Sequence, residues 1–135
     1  MNTPVPICKA FLCCRRVAAD QQFKDTCIIG LCSQYEHHRF PASVPVGIFA
    51  RLASAHGQYR VEIQLQTMEG EVVWREGPAE SWNLDNPLFN YDLKFNISLV
   101  FPAPGRYELV LMANGAEVAR ERFTAKLKQR AGNES

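Results

Sequence analysis

Five cysteines and two adjacent histidines are the residues best suited to chemistry in this sequence. They are Cys8, Cys13, Cys14, Cys27 and Cys32, followed by His37 and His38. Structural zinc sites take close ligand pairs about two to four residues apart, and the cysteine spacings here do not follow that pattern. Because every cysteine lies in or beside an apolar run, we expect the thiols to pack in the core and predict no metal site. Strand pairing still leaves open an approach of Cys13 or Cys14 to Cys27.

The sequence carries no motif of a familiar catalytic site. It lacks a Gly-x-Ser-x-Gly elbow, a His-Glu-x-x-His helix motif, a phosphate-binding loop and a dinucleotide fingerprint. A catalytic cysteine needs an accessible, electropositive setting beside a base, and apolar flanks do not supply one. We therefore predict a protein that is not an enzyme, with no catalytic residues and no cofactor.

Two polar, irregular segments, residues 33–45 and 76–90, are the places where recognition is expected, because loops on a rigid scaffold commonly carry it. With their borders, they offer the candidate binding residues Tyr35, His37, His38, Phe40, Trp82, Phe89 and Tyr91. We predict a protein-interaction or assembly module that uses a sheet edge or an exposed apolar patch. The alternative is a carbohydrate- or small-ligand-binding module with an aromatic platform. A purely structural role, in which Trp82 and Phe89 close the ends of the core, also fits.

Composition narrows the choice of partner and compartment. The 135 residues carry 15 Lys and Arg against 14 Asp and Glu, a formal charge of +1, so no nucleic-acid partner is expected. No apolar run is long enough to span a membrane, and Pro4 and Pro6 interrupt any export signal. An odd number of cysteines, two of them adjacent, fits a reducing compartment. We predict a cytoplasmic protein that binds a protein partner or associates with itself.

Alternating apolar and polar residues predict short strands along most of the chain. Residues 7–17 and 26–32 are expected to form a hairpin, and the first of these strands is apolar on both faces. Regular alternation runs from residue 46, and it is clearest over residues 93–101. Asn114-Gly115 predicts a type I′ turn, which joins the strand starting at Tyr107 to a returning strand.

The register of that last hairpin leads to two local predictions. If Leu111 and Val118 both face the core, Phe123 falls on the wrong face unless a bulge lies near Ala119-Arg120. The position of Tyr107 directly after a turn also predicts a tyrosine corner, in which its hydroxyl binds a backbone group a few residues upstream.

The whole pattern predicts an all-β fold. Eight or nine short strands, regular turn signals and no convincing helix favour a two-layer antiparallel β-sandwich with Greek-key connections. We expect residues 1–128 to form a single β-sandwich domain and residues 129–135 to form a flexible polar tail.

Several short motifs also suggest a family. These are the strand of residues 26–31, Phe40-Pro41, the strand of residues 49–52, and Gly57-x-Tyr59 leading to Glu69-Gly70. On these motifs the chain resembles an uncharacterised bacterial family of small single-domain β proteins, a domain of unknown function. The resemblance implies an immunoglobulin-like sandwich with no assigned activity, and it supplies neither a catalytic residue nor a ligand. The cysteine-rich start of this chain departs from the family pattern.

Overall fold

The computed structural model describes residues 3–77 and 81–128, and within these ranges it contains ten strands and no helix. The strands are β1 Ile7–Ala19, β2 Thr26–Leu31, β3 Gln34–His37, β4 Ala42–Ala53, β5 Gly57–Thr67, β6 Val72–Glu76, β7 Ser81–Leu84, β8 Tyr91–Phe101, β9 Gly105–Ala113 and β10 Ala116–Leu127. The prediction of eight or nine strands was too low. The additional strands, β3 and β7, have four residues each, too few for alternation to show in the sequence.

The strands form two sheets that share one hydrophobic core. One sheet has the order β2-β1-β4-β8, and the other has the order β3-β10-β9-β5-β6, with β7 also paired to β5. Inward side chains of both sheets, such as Leu52 on β4 and Leu109 on β9, belong to a single buried cluster. The prediction of purely antiparallel pairing was wrong at one place, because β3 pairs with β10 in parallel.

The β9–β10 hairpin follows the sequence predictions closely. Asn114 and Gly115 both have positive φ, 52° and 82°, as a type I′ turn requires. The register shifts between Glu117 and Ala119, so the bulge is confirmed, just before the predicted position. Phe123 thereby pairs with Tyr107, and both side chains are buried.

The tyrosine corner is confirmed as well. The Tyr107 hydroxyl donates a hydrogen bond to the Ala103 carbonyl oxygen at 2.6 Å. The bond ties the start of β9 to the turn that precedes it, so the chain enters the second sheet at a fixed angle.

The first hairpin departs from a flat sheet. β1 pairs with β4 up to Cys14, and from there to Ala19 it pairs with β2. The pairs on either side of Arg15 and Gly30 are in register, but these two residues are skipped, and Gly30 has a φ of 69°. We call residues 15–30, the part of the hairpin beyond this irregularity, the arm.

The predicted tail, residues 129–135, lies outside the described residues. So do residues 1–2 and 78–80 of the predicted domain. Across the described ranges, no helix has the length and apolar character needed to cross a membrane.

Candidate functional site

The arm begins where β1 passes directly over β4. A Cβ atom added at Gly47 would lie 2.6 Å from the backbone nitrogen of Val17 and 2.8 Å from the carbonyl carbon of Arg16. Contacts below about 3 Å are not tolerated without movement of the backbone, so this crossing requires a glycine on β4. Gly47 therefore sets how closely the arm approaches the outer face of the first sheet.

Asn96 on β8 fixes the arm at the same level. The backbone nitrogen of Val17 donates to Asn96 Oδ1 at 3.0 Å, and Asn96 Nδ2 donates to the Val17 carbonyl oxygen at 3.0 Å. The side-chain amide thus imitates a strand, satisfying both polar groups of one residue that no longer pairs with β4.

A small second core holds the arm against the sheet. Cys14, Val17 and Phe49 are buried together, with Ile28 of β2 packed against them. This cluster explains the sequence pattern of β1, which was predicted to be covered on both faces. Cys13 faces the main core, whereas Cys14 faces the cluster under the arm.

The turn at the tip of the arm is well defined. Asp20 Oδ1 accepts hydrogen bonds from the backbone nitrogens of Gln22 and Phe23, at 2.8 and 3.0 Å. The Asp20 nitrogen donates a hydrogen bond to the Asp25 carbonyl oxygen at 2.7 Å, and the Asp20 carbonyl oxygen accepts one from the Lys24 nitrogen at 2.6 Å. Because the turn satisfies its own polar groups, the arm presents a formed β-strand rather than an irregular loop.

The outer edge of β2 is unpaired among the described residues and is apolar. β2 pairs with β1 only, and its side chains Ile29 and Leu31 are 38% and 67% exposed. Leu12 of β1, 36% exposed, lines the same surface cavity as Leu31. We call these exposed residues, together with the exposed Cys27, the β2 edge.

The β2 edge differs from the charged edge strands β6 and β8; the four-residue strand β7, which pairs with β5, is likewise uncharged. β6 carries Arg75 and Glu76, and β8 carries Asp92 and Lys94. Charges of this kind are a common protection of sheet edges against pairing with other chains. β2, with the sequence TCIIGL, has neither a charge nor a proline, so it lacks that protection.

The aromatic residues predicted to bind a ligand fall into two groups. In the first group, Tyr35 of β3 stacks on Phe123, with ring centres 5.5 Å apart, and its hydroxyl donates to the Pro45 carbonyl oxygen at 3.3 Å. His37 meets Phe40 edge to face at 6.5 Å, and His38 is exposed. Tyr35 and Phe40 also pack against the main core, so this group largely closes one side of the molecule.

The second group lies near β7 and the start of β8. Trp82 packs against the core and meets Phe95 at 6.0 Å, and the Tyr91 hydroxyl accepts a hydrogen bond from the Asn86 nitrogen at 2.9 Å. Phe89 contacts Tyr91 at 6.5 Å but remains 59% exposed. Within the described structure, no aromatic contact joins the two groups, so the seven residues do not form one platform.

The outer face of the second sheet is polar and internally paired. Arg120 forms ion pairs with Glu108 at 2.9 Å and with Glu117 at 2.6 Å. The hydrogen bond from Arg120 lowers the pKa of Glu117. Gln64 and Gln66, nearly buried on the same face, bond to each other at 2.8 Å. Since these groups already have partners, the face offers few free polar atoms to a ligand.

The cysteines are spread over both sides of β1. Within residues 3–77 and 81–128, no group of three or more His, Cys, Asp or Glu side chains is placed to hold a metal ion. The approach of Cys13 or Cys14 to Cys27 does not occur by strand pairing, because Cys27 lies opposite Ala18. Cys32 is the residue that meets Cys13, through a backbone hydrogen bond of 3.0 Å from its nitrogen to the Cys13 oxygen.

Sequence reasoning missed the β2 edge and the crossing at Gly47. One available signal was Gly47 itself, a glycine inside an apolar strand pattern, which indicates close backbone approach. The other was the absence of charge from residues 26–31. Neither signal shows where in a sheet the strand lies, because the position of a strand is given only by the strand order.

Comparison with known proteins identifies a family but no activity. No curated protein matches the sequence. One similar solved structure is the Pseudomonas fluorescens alkylpurine DNA glycosylase AlkC bound to DNA containing an abasic site analog, with a TM-score of 0.43 and 11% identity. The similarity covers 70% of this chain but only 28% of that one. The model of a family described as "Family of unknown function (DUF6941)" matches residues 9–126. Because that match covers most of the sequence, the chain belongs to this family of unknown function.

Proposed function

We propose that the protein is a non-enzymatic interaction or assembly module that binds an extended protein segment along the β2 edge. The observation that carries the proposal is an uncharged strand with exposed aliphatic side chains, whose outer edge has no partner within residues 3–77 and 81–128. A segment added to such an edge gains backbone hydrogen bonds, and alternate side chains of the strand give it an apolar contact.

The energetics favour binding because the strand is already formed. The arm is held by Gly47, Asn96 and the second core, so little conformational entropy is lost when a partner docks. Full burial of a large aliphatic side chain stabilises by about 1.5–3 kcal/mol, and Leu31, which is 67% exposed, retains most of that gain for a partner. Near-neutral net charge leaves no long-range repulsion between copies.

The test compares two matched substitutions of exposed leucines. Leu31→Lys places a charge on the β2 edge, and Leu88→Lys places the same charge beside the predicted binding residue Phe89, where the leucine is 90% exposed. Mass in solution is measured for both variants and wild type, and each is then used to capture partners from the native host. We expect wild type and Leu88→Lys to associate alike and Leu31→Lys to lose the partner or the self-association.

Two results would contradict the proposal. Loss of association in Leu88→Lys but not in Leu31→Lys would place the interface in the segment of residues 76–90. If the wild-type protein stays monomeric and captures no partner, the proposed function as an interaction or assembly module is contradicted.

For the fold, we infer an immunoglobulin-like sandwich with Greek-key connections. The order β1-β4-β8 opposite β10-β9-β5-β6 matches the usual two-sheet arrangement of that fold, and the tyrosine corner of Tyr107 stands at the entry to the strand where such domains carry it. We also propose a cytoplasmic location without nucleic-acid or membrane partners. The free state of all five cysteines and the balanced charge support it.

A second candidate function, binding of a small apolar ligand, rests on one cavity. A space of about 320 Å³ is lined by Val61 and Ile63 of the second sheet, Phe95 and Ile97 of the first, and Trp82, with Glu76 beside them. Trp82 is the one predicted binding residue that borders it. Titration of a small aromatic probe, followed by Trp fluorescence, should show saturable binding that Trp82→Ala abolishes; no saturation would dismiss this function.

A further inference from the structure

Two cysteines face each other at the base of the arm. Cys13 lies on β1, and Cys32 directly follows β2; the Cys32 nitrogen donates to the Cys13 carbonyl oxygen at 3.0 Å. Residues opposite each other in antiparallel strands have Cα atoms about 4.5–5.5 Å apart. Disulfides are found at Cα separations of about 4.4–6.8 Å. The backbone therefore already holds the two residues at a distance that a disulfide can span.

Both thiols border one surface cavity. Cys13 and Cys32 line a space of about 310 Å³ together with Phe11, Leu12 and Leu31. Cys13 is buried, whereas Cys32 is partly exposed, and its thiol lies 3.7 Å from the Tyr35 hydroxyl. A small reagent entering the cavity from solvent thus meets Cys32 first.

The electrostatics of the pair assign different roles to the two thiols. Burial, followed by the neighbouring Cys32, raises the pKa of the Cys13 thiol, so Cys13 stays neutral at physiological pH. A neutral, buried thiol is a poor first nucleophile. Cys13 is suited instead to react with a neighbouring sulfur that has already been oxidised.

The other cysteines have different surroundings. Cys14 faces the opposite side of β1 and its thiol donates to the Gly47 carbonyl oxygen at 3.4 Å. The Cys8 thiol donates to the Ala10 carbonyl oxygen at 3.1 Å, and Cys27 is exposed on the arm opposite Ala18. Of the described cysteines, only Cys13 and Cys32 are cross-strand neighbours.

We infer that Cys13 and Cys32 form a reversible disulfide when the protein meets a peroxide. The Cys32 thiol attacks one oxygen of hydrogen peroxide, giving a sulfenic acid and water. The Cys13 sulfur then attacks the Cys32 sulfur as the S–O bond breaks, and the departing hydroxyl takes the Cys13 proton; the S–S bond forms and a second water is released. Two thiols and one peroxide thus give one disulfide and two waters, and a dithiol reductant restores both thiols by exchange.

The consequence is a covalent clasp at the base of the arm. The bond closes a loop that contains the whole of residues 14–31, including β2. Closing a loop of this length restricts the unfolded chain, which corresponds to a rise in Tm of roughly 6–16 °C. The clasp also holds the two strands of the arm together at their base. Oxidation is therefore expected to stabilise the β2 edge, whatever binds there.

The experiment follows the intact mass of the full chain after treatment with hydrogen peroxide at low protein concentration. We expect loss of two hydrogens, reversed by a dithiol, in wild type and in the control Cys27→Ser. Cys32→Ala, at a partly exposed position, and Cys13→Ala, which keeps an apolar group at the buried one, should both abolish the loss. Each oxidised protein is also melted with and without reductant, and only wild type and Cys27→Ser should show the rise in Tm.

The inference is overturned by any of three outcomes. Loss of two hydrogens that persists in Cys32→Ala or Cys13→Ala would place the bond elsewhere. Addition of oxygen atoms without loss of hydrogens would show that the pair does not close. A disulfide found only between chains, and absent from Cys27→Ser, would show that the exposed Cys27 forms the bond instead of the Cys13–Cys32 pair.

Discussion

Replacing Gly47 with alanine tests how the arm is attached. The new methyl group would lie 2.6 Å from the Val17 nitrogen and 2.8 Å from the Arg16 carbonyl carbon, and both are backbone atoms that cannot rotate away. Gly47 does not have positive φ, so the cost is steric only. Overpacking of this kind costs about 1–3 kcal/mol, which for a domain of this size lowers Tm by roughly 3–12 °C.

The arm has one way to relieve the clash, which is to lift from the sheet. Lifting breaks the two hydrogen bonds between Val17 and Asn96 and exposes the buried Phe49. The free energy of this local opening sets an upper limit on the loss of stability. Amide hydrogen exchange should therefore rise first at Val17, whose N–H loses its acceptor on Asn96, while the amides of β9 remain protected.

Chemical unfolding and hydrogen exchange are measured for Gly47→Ala, with Ser43→Ala as control on the same face of β4, where the serine is exposed. Asn96→Ala should move exchange in the same direction, because it removes the two bonds without adding an atom. The reasoning fails if Gly47→Ala unfolds like Ser43→Ala and its arm amides exchange at the wild-type rate.

Substitutions at three further positions test local features of the fold. Tyr107→Phe removes the hydrogen bond to the Ala103 carbonyl oxygen and should cost about 0.5–1.5 kcal/mol in urea unfolding; an unchanged midpoint would show that the corner is not stabilising. Asn114→Ala should destabilise more than Asn114→Gly, because alanine tolerates the φ of 52° less well while both lose the same side-chain bonds; the reverse order in thermal melts would contradict this. The hydrogen bond from Arg51 lowers the pKa of Asp92, so the stabilisation by this pair is present above about pH 4 and is lost as pH falls through the lowered pKa. Unfolding of wild type and Asp92→Asn should therefore differ at neutral pH and converge in acid, and a constant difference would refute the assignment.

Local patterns were the predictable part of this fold. The Asn114-Gly115 turn, the alternation of β8 and the corner of Tyr107 depend on neighbours in sequence, and the structure confirms each of them. The bulge at Val118 could also be predicted from the sequence. If Val118 faces the core opposite Leu111, a strand with a period of two can bury Phe123 only through a bulge. These features needed no knowledge of the strand order.

Features that depend on distant strands were not predictable. β3 lies in a segment that the sequence predicts to be irregular, because four residues show no period. Its strand geometry depends on parallel pairing with β10 at the other end of the chain. Pro41 and Pro45 predict that residues 42–45 belong to the same irregular segment, yet these residues begin β4. Pro45 pairs with Ser98 of β8. The strand β4 therefore continues through a proline that, in the sequence, indicates the end of a strand.

The candidate site shows the same division. The aromatic residues were selected because they lie outside regular strands, but an open-ended core needs large side chains at its ends, and Tyr35, Phe40, Trp82 and Tyr91 pack there. The β2 edge has no aromatic residue, so composition alone does not distinguish it from an interior strand. Its exposure follows from strand order, since a run such as TCIIGL is apolar whether it lies at the centre of a sheet or at its border.

The attachment of the arm gives the uncharged edge a physical rationale. An edge strand that moved freely would expose its backbone on both faces and invite unspecific pairing. Here the inner face of the arm is occupied by Phe49 and Cys14, and its backbone is tied to Asn96. The outer edge of β2 and the exposed side chains of Ile29 and Leu31 remain available. Because the same contacts that hold the arm also restrict what can pair with it, weakening the crossing at Gly47 should reduce the selectivity of association as well as stability.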